Sequence, residues 1–185
     1  MKMFKDNVDE HINVFSNLLS IEDHLNKMYT LIEDTIKSKN KILIFGNGGS
    51  AADAQHFAAE LVVKFEKIRK PISAIALTTD TSILTATAND FSFNDVFSRQ
   101  VSALIQKDDL AIGISTSGKS KNVLNGLKEA EKCLAKTIML TGSHNISSSF
   151  IDLIISAPSK KTSRIQEVHL FIYHYLCLLI DENFQ

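Results

Sequence analysis

Four polar side chains in two helix-like stretches carry the most telling chemistry in this sequence. His56 and Glu60 stand four apart in an Ala-rich run, so on a helix they share a face and can grip one divalent cation or flank one substrate. The neighbours Phe57, Ala58, Ala59 and Leu61 mark that helix as largely buried, where an unpaired carboxylate is costly. A solvated surface pair is the plain alternative. Gln166 and His174 stand eight apart on a second helical stretch and share a face, with Leu170 between them, Tyr173 and Cys177 nearby, and His169 pointing elsewhere. Eight helical residues rise about 12 Å, close to the combined reach of both side chains towards a shared ion. Either the helix is distorted there, the two residues come from different subunits, or one works mainly as an acid or base. A satisfied core or interface histidine is the other reading of His174.

Two loops look suited to an anion. Gly46-Asn47-Gly48-Gly49-Ser50-Ala51 and Ile114-Ser115-Thr116-Ser117-Gly118-Lys119-Ser120 each follow a strand-like run and lead into a helix, whose free N–H groups and dipole favour negative charge. The first fits the dinucleotide pattern G-x-G-x-x-G/A, but the acidic residue expected about 20 positions on is missing, and Asp80 comes late. The second, extended back to Gly113, matches a P-loop letter for letter, yet no Walker B strand accompanies it and three hydroxyl residues crowd its variable positions. What remains is a cradle of N–H groups with the hydroxyls of Ser115, Thr116, Ser117 and Ser120, suited to a phosphate monoester. Plain turns, with Ser120 as an ordinary helix cap, are the alternative.

The elements that must position these residues follow from periodicity. Residues 1–39 hold neither Gly nor Pro and repeat apolar residues at helical spacing, predicting two helices or a bent one that packs on something. Strand-like runs at Lys41–Phe45, Ile72–Leu77, Leu110–Ile114, Lys136–Leu140 and Leu153–Ser156 alternate with helical patterns at Ala51–Lys64, Asn94–Ile105, Ser120–Lys132 and Ser163–Asp181. Such alternation predicts a parallel sheet with helices on both faces. The last helix is apolar around most of its circumference, which predicts burial, partly against another subunit. Glu129 and Glu131, with Lys128 and Lys132, read as a solvated helix face.

Composition narrows the classes. With 185 residues, 44% of them hydrophobic, 22% charged and a net charge of −1, the chain suits one domain and lacks the basic excess of a nucleic-acid binder. Cys133 and Cys177 are too few and too far apart for a disulfide framework and read as buried packing thiols. The longest apolar stretch, Leu170–Ile180, is too short for a bilayer span. Residues 1–8 hold no apolar signal core, so a cytoplasmic location is expected.

Four blocks then carry a resemblance: Gly46 to Leu61, Ala88-Asn89-Asp90-Phe91, Ile114 to Ser120, and Arg164-Ile165-Gln166-Glu167-Val168-His169 continuing to His174. In this order they resemble the sugar isomerase (SIS) domain, and within it the phosphoheptose isomerases, over nearly the whole chain. The resemblance implies a three-layer α-β-α sandwich around a five-stranded parallel sheet, flavodoxin-like, in a single SIS domain spanning 1–185. Residues 1–39 would be a helical extension at the subunit interface of a homotetramer, with active sites between subunits. By family position, Ser115, Thr116, Ser117 and Ser120 would hold the phosphate. Asn47, Gly48, Gly49, Asn89 and Asp90 would contact the sugar, and Glu60 and Gln166 would also reach the substrate. His56, Glu60, Gln166 and His174 match the positions that hold zinc, one ion per subunit, while Glu60 would act as general base and His174 as acid.

The implied reaction converts D-sedoheptulose 7-phosphate to D-glycero-D-manno-heptose 7-phosphate through an enediol, supplying heptose for lipopolysaccharide or capsule. The alternative is a non-catalytic SIS protein that binds a phosphosugar or the replication initiator protein, which has no need of Glu60 and His174. A third is a SIS isomerase for another phosphosugar. Three departures stand out. Val63-Lys64-Phe65 replaces Gly-Arg-aromatic, Ser159-Lys160-Lys161-Thr162-Ser163 replaces acidic residues, and Thr141-Gly142-Ser143-His144 has fewer glycines than is usual. Lys64 keeps the charge of the Arg but loses its fork.

Overall fold

Strand β1 (Ile42–Gly46) is buried along its whole length and sends Ile42 and Ile44 to one side and Leu43 and Phe45 to the other. Both sides are apolar because a layer of helices covers each, and this is why the run lacks a polar-apolar alternation. The computed structural model describes residues 2–184. Strands β2 (Ala74–Ala76), β3 (Leu110–Ile114), β4 (Lys136–Gly142) and β5 (Leu153–Ala157) complete a wholly parallel sheet of order β2-β1-β3-β4-β5. In that flavodoxin-like order the chain direction across the sheet reverses between β1 and β3, leaving a crevice at their carboxyl ends. Gly46 and Ile114, the last residues of these two strands, pair in register there.

The first helical layer holds α1 (Lys2–Ser16), α2 (Glu22–Lys37), α3 (Gly49–Val62) and α7 (Thr162–Asn183). Met28, Ile32, Phe57, Leu61, Ile172 and Leu176 pack there against Ile44, Ile112 and Leu140. The second layer holds α4 (Thr81–Asp90), α5 (Ser98–Leu104) and α6 (Lys121–Lys132), whose Val101, Val123 and Leu127 cover Leu43, Phe45 and Met139. Each such fully buried side chain stabilises the fold by roughly 1.5–3 kcal/mol. This is the expected three-layer α-β-α sandwich. The N-terminal segment is two helices joined by a short 3-10 turn, Leu18–Ile21, and α1 is tied to α7 by polar contacts. Arg164 Nη1 donates to the Asn7 carbonyl at 3.1 Å, His11 pairs with Glu167 at 2.8 Å, and Lys161 pairs with Glu10 at 2.6 Å.

Several elements differ from the sequence expectation. β2 is three residues long rather than six, because Ile72 N turns aside to the Leu61 carbonyl and only residues 74–76 register with β1. The helix expected over 94–105 is split into a 3-10 turn, Phe93–Asp95, and the shorter α5. Helix α4 was not foreseen: it is capped by Asp80, whose Oδ1 accepts from Ile83 N at 2.9 Å, and buries only Thr87. Helix α7 is buried along its Ile165, Val168, Ile172 and Leu176 face, as expected, while Leu170, Phe171 and Leu178 are exposed in the single chain. Cys177 is buried as expected, whereas Cys133 is half-buried.

Candidate active site

The two anion-seeking loops sit side by side in the β1/β3 crevice and are joined by a reciprocal amide pair. Asn47 Nδ2 donates to Asn122 Oδ1 at 2.9 Å, and Asn122 Nδ2 returns a bond to Asn47 Oδ1 at 2.8 Å. Asn122 Oδ1 also accepts from Val123 N, so the pair is anchored in the first turn of α6. Gly48 (φ +56°) and Gly118 (φ +65°) supply the left-handed turns that aim the loops into their helices. A Cβ at Gly118 would overlap Ile146, so that loop closes tightly over the β4 side. Ser115 is buried and its hydroxyl works within the loop, donating to Ser120 Oγ at 2.9 Å and accepting from Ser120 N. Ser120 therefore gives no side-chain cap to α6. Ser117 is exposed and Thr116 and Ser120 are half-buried, leaving their hydroxyls near the surface beside the α6 N-terminus.

Helices α3 and α7 lie against each other and run in the same direction. The same sequence offset recurs along the contact: Gly49 meets Gln166, and His56 meets Tyr173. A Cβ at Gly49 would strike the Gln166 amide, so this glycine leaves the room that Gln166 fills. Two turns further on, His56 Nε2 lies 3.0 Å from Glu60 Oε1, and the His56 and His174 rings meet edge to face with centroids 5.0 Å apart. His174 also lies against Phe65. Its Nε2 is buried with no partner among the described residues, an arrangement that points to a ligand. Burial, together with the neighbouring His56, holds the His174 ring below the ordinary imidazole range, so it is neutral near neutral pH.

Behind this cluster, the Tyr173 hydroxyl lies 3.0 Å from His56 Nδ1 and 3.5 Å from Asp53 Oδ1. Burial pushes the Asp53 carboxyl up to about 6, while Tyr173 and His56 pull it partly back. Tyr173 itself is raised by its own burial and by Asp53. Burial also pushes the Cys177 thiol up to about 12, so it is an inert packing group. At the end of α3, Arg69 donates to the carbonyls of Glu60 (2.6 Å) and Leu61 (2.7 Å), and its Nε bonds Asp181 Oδ1 at 2.9 Å.

The sequence-derived residues are thus gathered in two groups. Asn47, Gly48, Gly49, Gln166 and the Ser115–Ser120 loop lie at the crevice, and His56, Glu60 and His174 lie further along α3 and α7. Helix α7 runs unbroken from Thr162 to Asn183, which removes a distorted helix as the way to bring Gln166 and His174 together. Asn89 and Asp90 end α4, where they are exposed and bond each other at 2.8 Å rather than either loop. Lys64 is exposed, and Lys161 is engaged with α1. Asn122, Asp53, Arg69 and Asp181 were not singled out from the sequence, and Tyr173 was noted only as a neighbour. Among the described residues, no three His, Cys, Asp or Glu side chains converge as a ready-made cation site. The donor set of two imidazoles, one of them with an orphaned ring nitrogen, and a carboxylate nonetheless suits zinc chemistry.

The family model for the SIS domain matches residues 4–142. The phosphoheptose isomerase of Campylobacter concisus is 46% identical over 184 residues, covering 99% of this chain and 97% of that protein. The chain belongs to the phosphoheptose isomerase family. A second phosphoheptose isomerase, from Aquifex aeolicus, is 54% identical over 82% of this chain and 80% of its own length. The solved phosphoheptose isomerase of Neisseria gonorrhoeae superposes with a TM-score of 0.89 at 37% identity, covering 98% of both chains. The chain is therefore an isomerase of the aldose-ketose class, built on the SIS fold.

Proposed function

We propose that the chain converts D-sedoheptulose 7-phosphate to D-glycero-D-manno-heptose 7-phosphate in the cytoplasm, for the heptose of a surface polysaccharide. The observation that carries this reading is the meeting of Glu60, His56 and His174 in one cluster, within a chain whose full-length relatives are phosphoheptose isomerases. The Ser115–Ser120 loop and the α6 N-terminus hold the 7-phosphate, while Asn47, Gly48, Gly49, Asn89, Asp90 and Gln166 contact the sugar hydroxyls. Glu60 removes the proton from C1 of the ketose to give the enediol and delivers a proton to C2 to give the aldose. His174, neutral and with a free Nε2, takes the O1 proton and supplies one to O2. His56, Glu60, Gln166 and His174 are the residues that would hold zinc, and His174 Nε2 can take a proton only while it is not bound to the ion. Bound there, zinc would supply Lewis-acid polarisation of the carbonyl.

The spacing within one chain supports a site shared between copies. Eleven residues of α3 separate Gly49 from Glu60, a rise of about 16 Å, so the glycine and serine loops of one copy face the histidine cluster of another. Exposed apolar residues on α1 and α7, among them Phe4, Ile12 and Phe171, supply the surface for a homotetramer, with residues 1–39 at its contacts. No helix among the described residues is long and apolar enough to cross a membrane. The test is proton NMR of the protein with sedoheptulose 7-phosphate in heavy water, with and without chelator, alongside its mass in solution. Heptose 7-phosphate carrying deuterium at C2 is the expected result. No product with either chelator or added zinc overturns the reading in favour of a phosphosugar-binding module.

A further inference from the structure

His56 presents its two ring nitrogens to different partners, Nε2 to Glu60 Oε1 and Nδ1 to the Tyr173 hydroxyl, each at 3.0 Å. With Nε2–H donating to the Glu60 carboxylate, a neutral ring has a bare Nδ1, which needs a donor. The Tyr173 hydroxyl is the only polar group placed at Nδ1 among the described residues, and it can serve. When a cation takes Nε2, the ring proton must sit on Nδ1, and the same hydroxyl must then accept. To accept from Nδ1–H, the hydroxyl needs somewhere to send its own proton, and Asp53 Oδ1 lies 3.5 Å away for that purpose. Asp53 Oδ2 is buried without a partner among the described residues, so this carboxylate has few competing claims. A phenylalanine could play neither part, and a carboxylate placed directly at Nδ1 could not donate while ionised.

We propose that Tyr173, backed by Asp53, is the positioning residue that keeps His56 Nδ1 paired in either tautomer, reversing its hydroxyl between donor and acceptor as Nε2 passes from Glu60 to a cation. The proposal rests on the zinc reading above for the loaded state, but the donor arrangement holds without metal. It also explains why a tyrosine is tolerated at a fully buried position, stacked on Phe57 with ring centroids 5.4 Å apart. In other metal sites, such outer partners of a ligating histidine typically change metal affinity by roughly 10- to 100-fold when removed.

Tyr173→Phe tests this, because it keeps the ring on Phe57 and deletes only the hydroxyl. Both proteins are labelled with 15N-histidine, stripped with chelator and held above the ordinary imidazole titration range, and the His56 signals are assigned with a His56→Gln variant. Long-range proton–nitrogen correlations then read the tautomer directly. Wild type should show Nε2–H alone without metal and Nδ1–H once zinc is added. Tyr173→Phe should keep Nε2–H without metal, since Glu60 still accepts it, but its bare Nδ1 should lose the signal shift of an accepted hydrogen bond, and the variant should hold zinc roughly 10- to 100-fold more weakly in chelator competition. Identical His56 Nδ1 signals in the two metal-free proteins overturn the proposal, as does equal zinc affinity. A wild type that takes up no zinc overturns the metal reading instead, and the metal-free Nδ1 signals alone then decide for or against Tyr173.

Discussion

The ion pair between Arg69 and Asp181 offers a quantitative test of how the end of α3 is held. Both side chains are almost fully excluded from solvent, with 1% and 2% exposure, and each Asp181 oxygen is committed. Oδ1 accepts from Arg69 Nε at 2.9 Å, and Oδ2 accepts from the N–H groups of Glu66 (2.7 Å) and Lys67 (2.8 Å). Asp181→Asn keeps the shape but leaves the buried guanidinium without its counter-charge and turns an NH2 towards at least one donor. Breaking a buried pair from one side costs about 3–5 kcal/mol. At about 2–4 °C per kcal/mol for a chain of this size, the melting temperature should fall by roughly 6–20 °C. Glu182→Gln is the control: it loses only the Lys67 contact, whose partners are half exposed or more, and should cost less than about 1 kcal/mol.

The assay is calorimetry at one protomer concentration, because association shifts the midpoint. Acidity adds a second readout. Burial alone would raise the Asp181 carboxyl, but the Lys67 and Glu66 N–H groups and Arg69 outweigh it and hold it below its ordinary value. Its contribution is therefore fully present above the usual carboxylate range and is lost as pH falls through the depressed folded value. Asp181→Asn should remove that part of the acid-induced loss. A variant within about 1 kcal/mol of wild type, or a control that falls as far, refutes the assignment of this pair as the latch.

The remaining predictions concern the site and one buried histidine. Glu60→Gln should lower turnover by about 100-fold or more while phosphosugar binding, measured calorimetrically, persists; near-normal turnover would remove Glu60 as the base. Gly49→Ala should displace the Gln166 amide at little cost in stability and lower kcat/KM, and unchanged kinetics would show that Gln166 does not touch substrate. His169 is buried, with a ring nitrogen 3.2 Å from the Thr141 carbonyl, and burial drives it down to about 4. The unfolded chain then binds the extra proton first, so stability should fall by about 3 kcal/mol as pH drops from the ordinary imidazole range to about 4, then level off. His169→Gln should flatten that slope in a urea-denaturation series, and an unchanged slope would place the titration elsewhere.

What could be read from the sequence depended on the range of the interaction. Strands β1, β3 and β4 were legible because a run buried on both faces is apolar throughout, and the glycine and serine loops mark where those strands end. Helix α4 was hidden because only Thr87 of its ten residues is buried, so no apolar stripe announces it. Helix α7 was legible as a buried helix, but its apolar residues carry no sign of whether the chain itself or a second copy covers them. The local pair His56 and Glu60 was visible from four-residue spacing alone. Asp53 with Tyr173 and Arg69 with Asp181 join residues 120 and 112 positions apart, and no local pattern marks either partner.

The shared direction of α3 and α7 sets two storeys along one chain. On the function proposed above, the upper one, at Gly49 and Gln166, would serve the sugar's hydroxyls, and the lower one, at His56, Glu60, Tyr173 and His174, the moving protons of the site shared with the next copy. Two helical turns of packed side chains stand between them. Sugar preference can therefore drift through changes upstairs while the proton machinery below keeps its register, so one scaffold can be retuned to another phosphosugar without being rebuilt. A single-residue insertion between Gln166 and Tyr173 would be far more damaging than a substitution at either, because it would turn everything after it by about 100° and part the storeys.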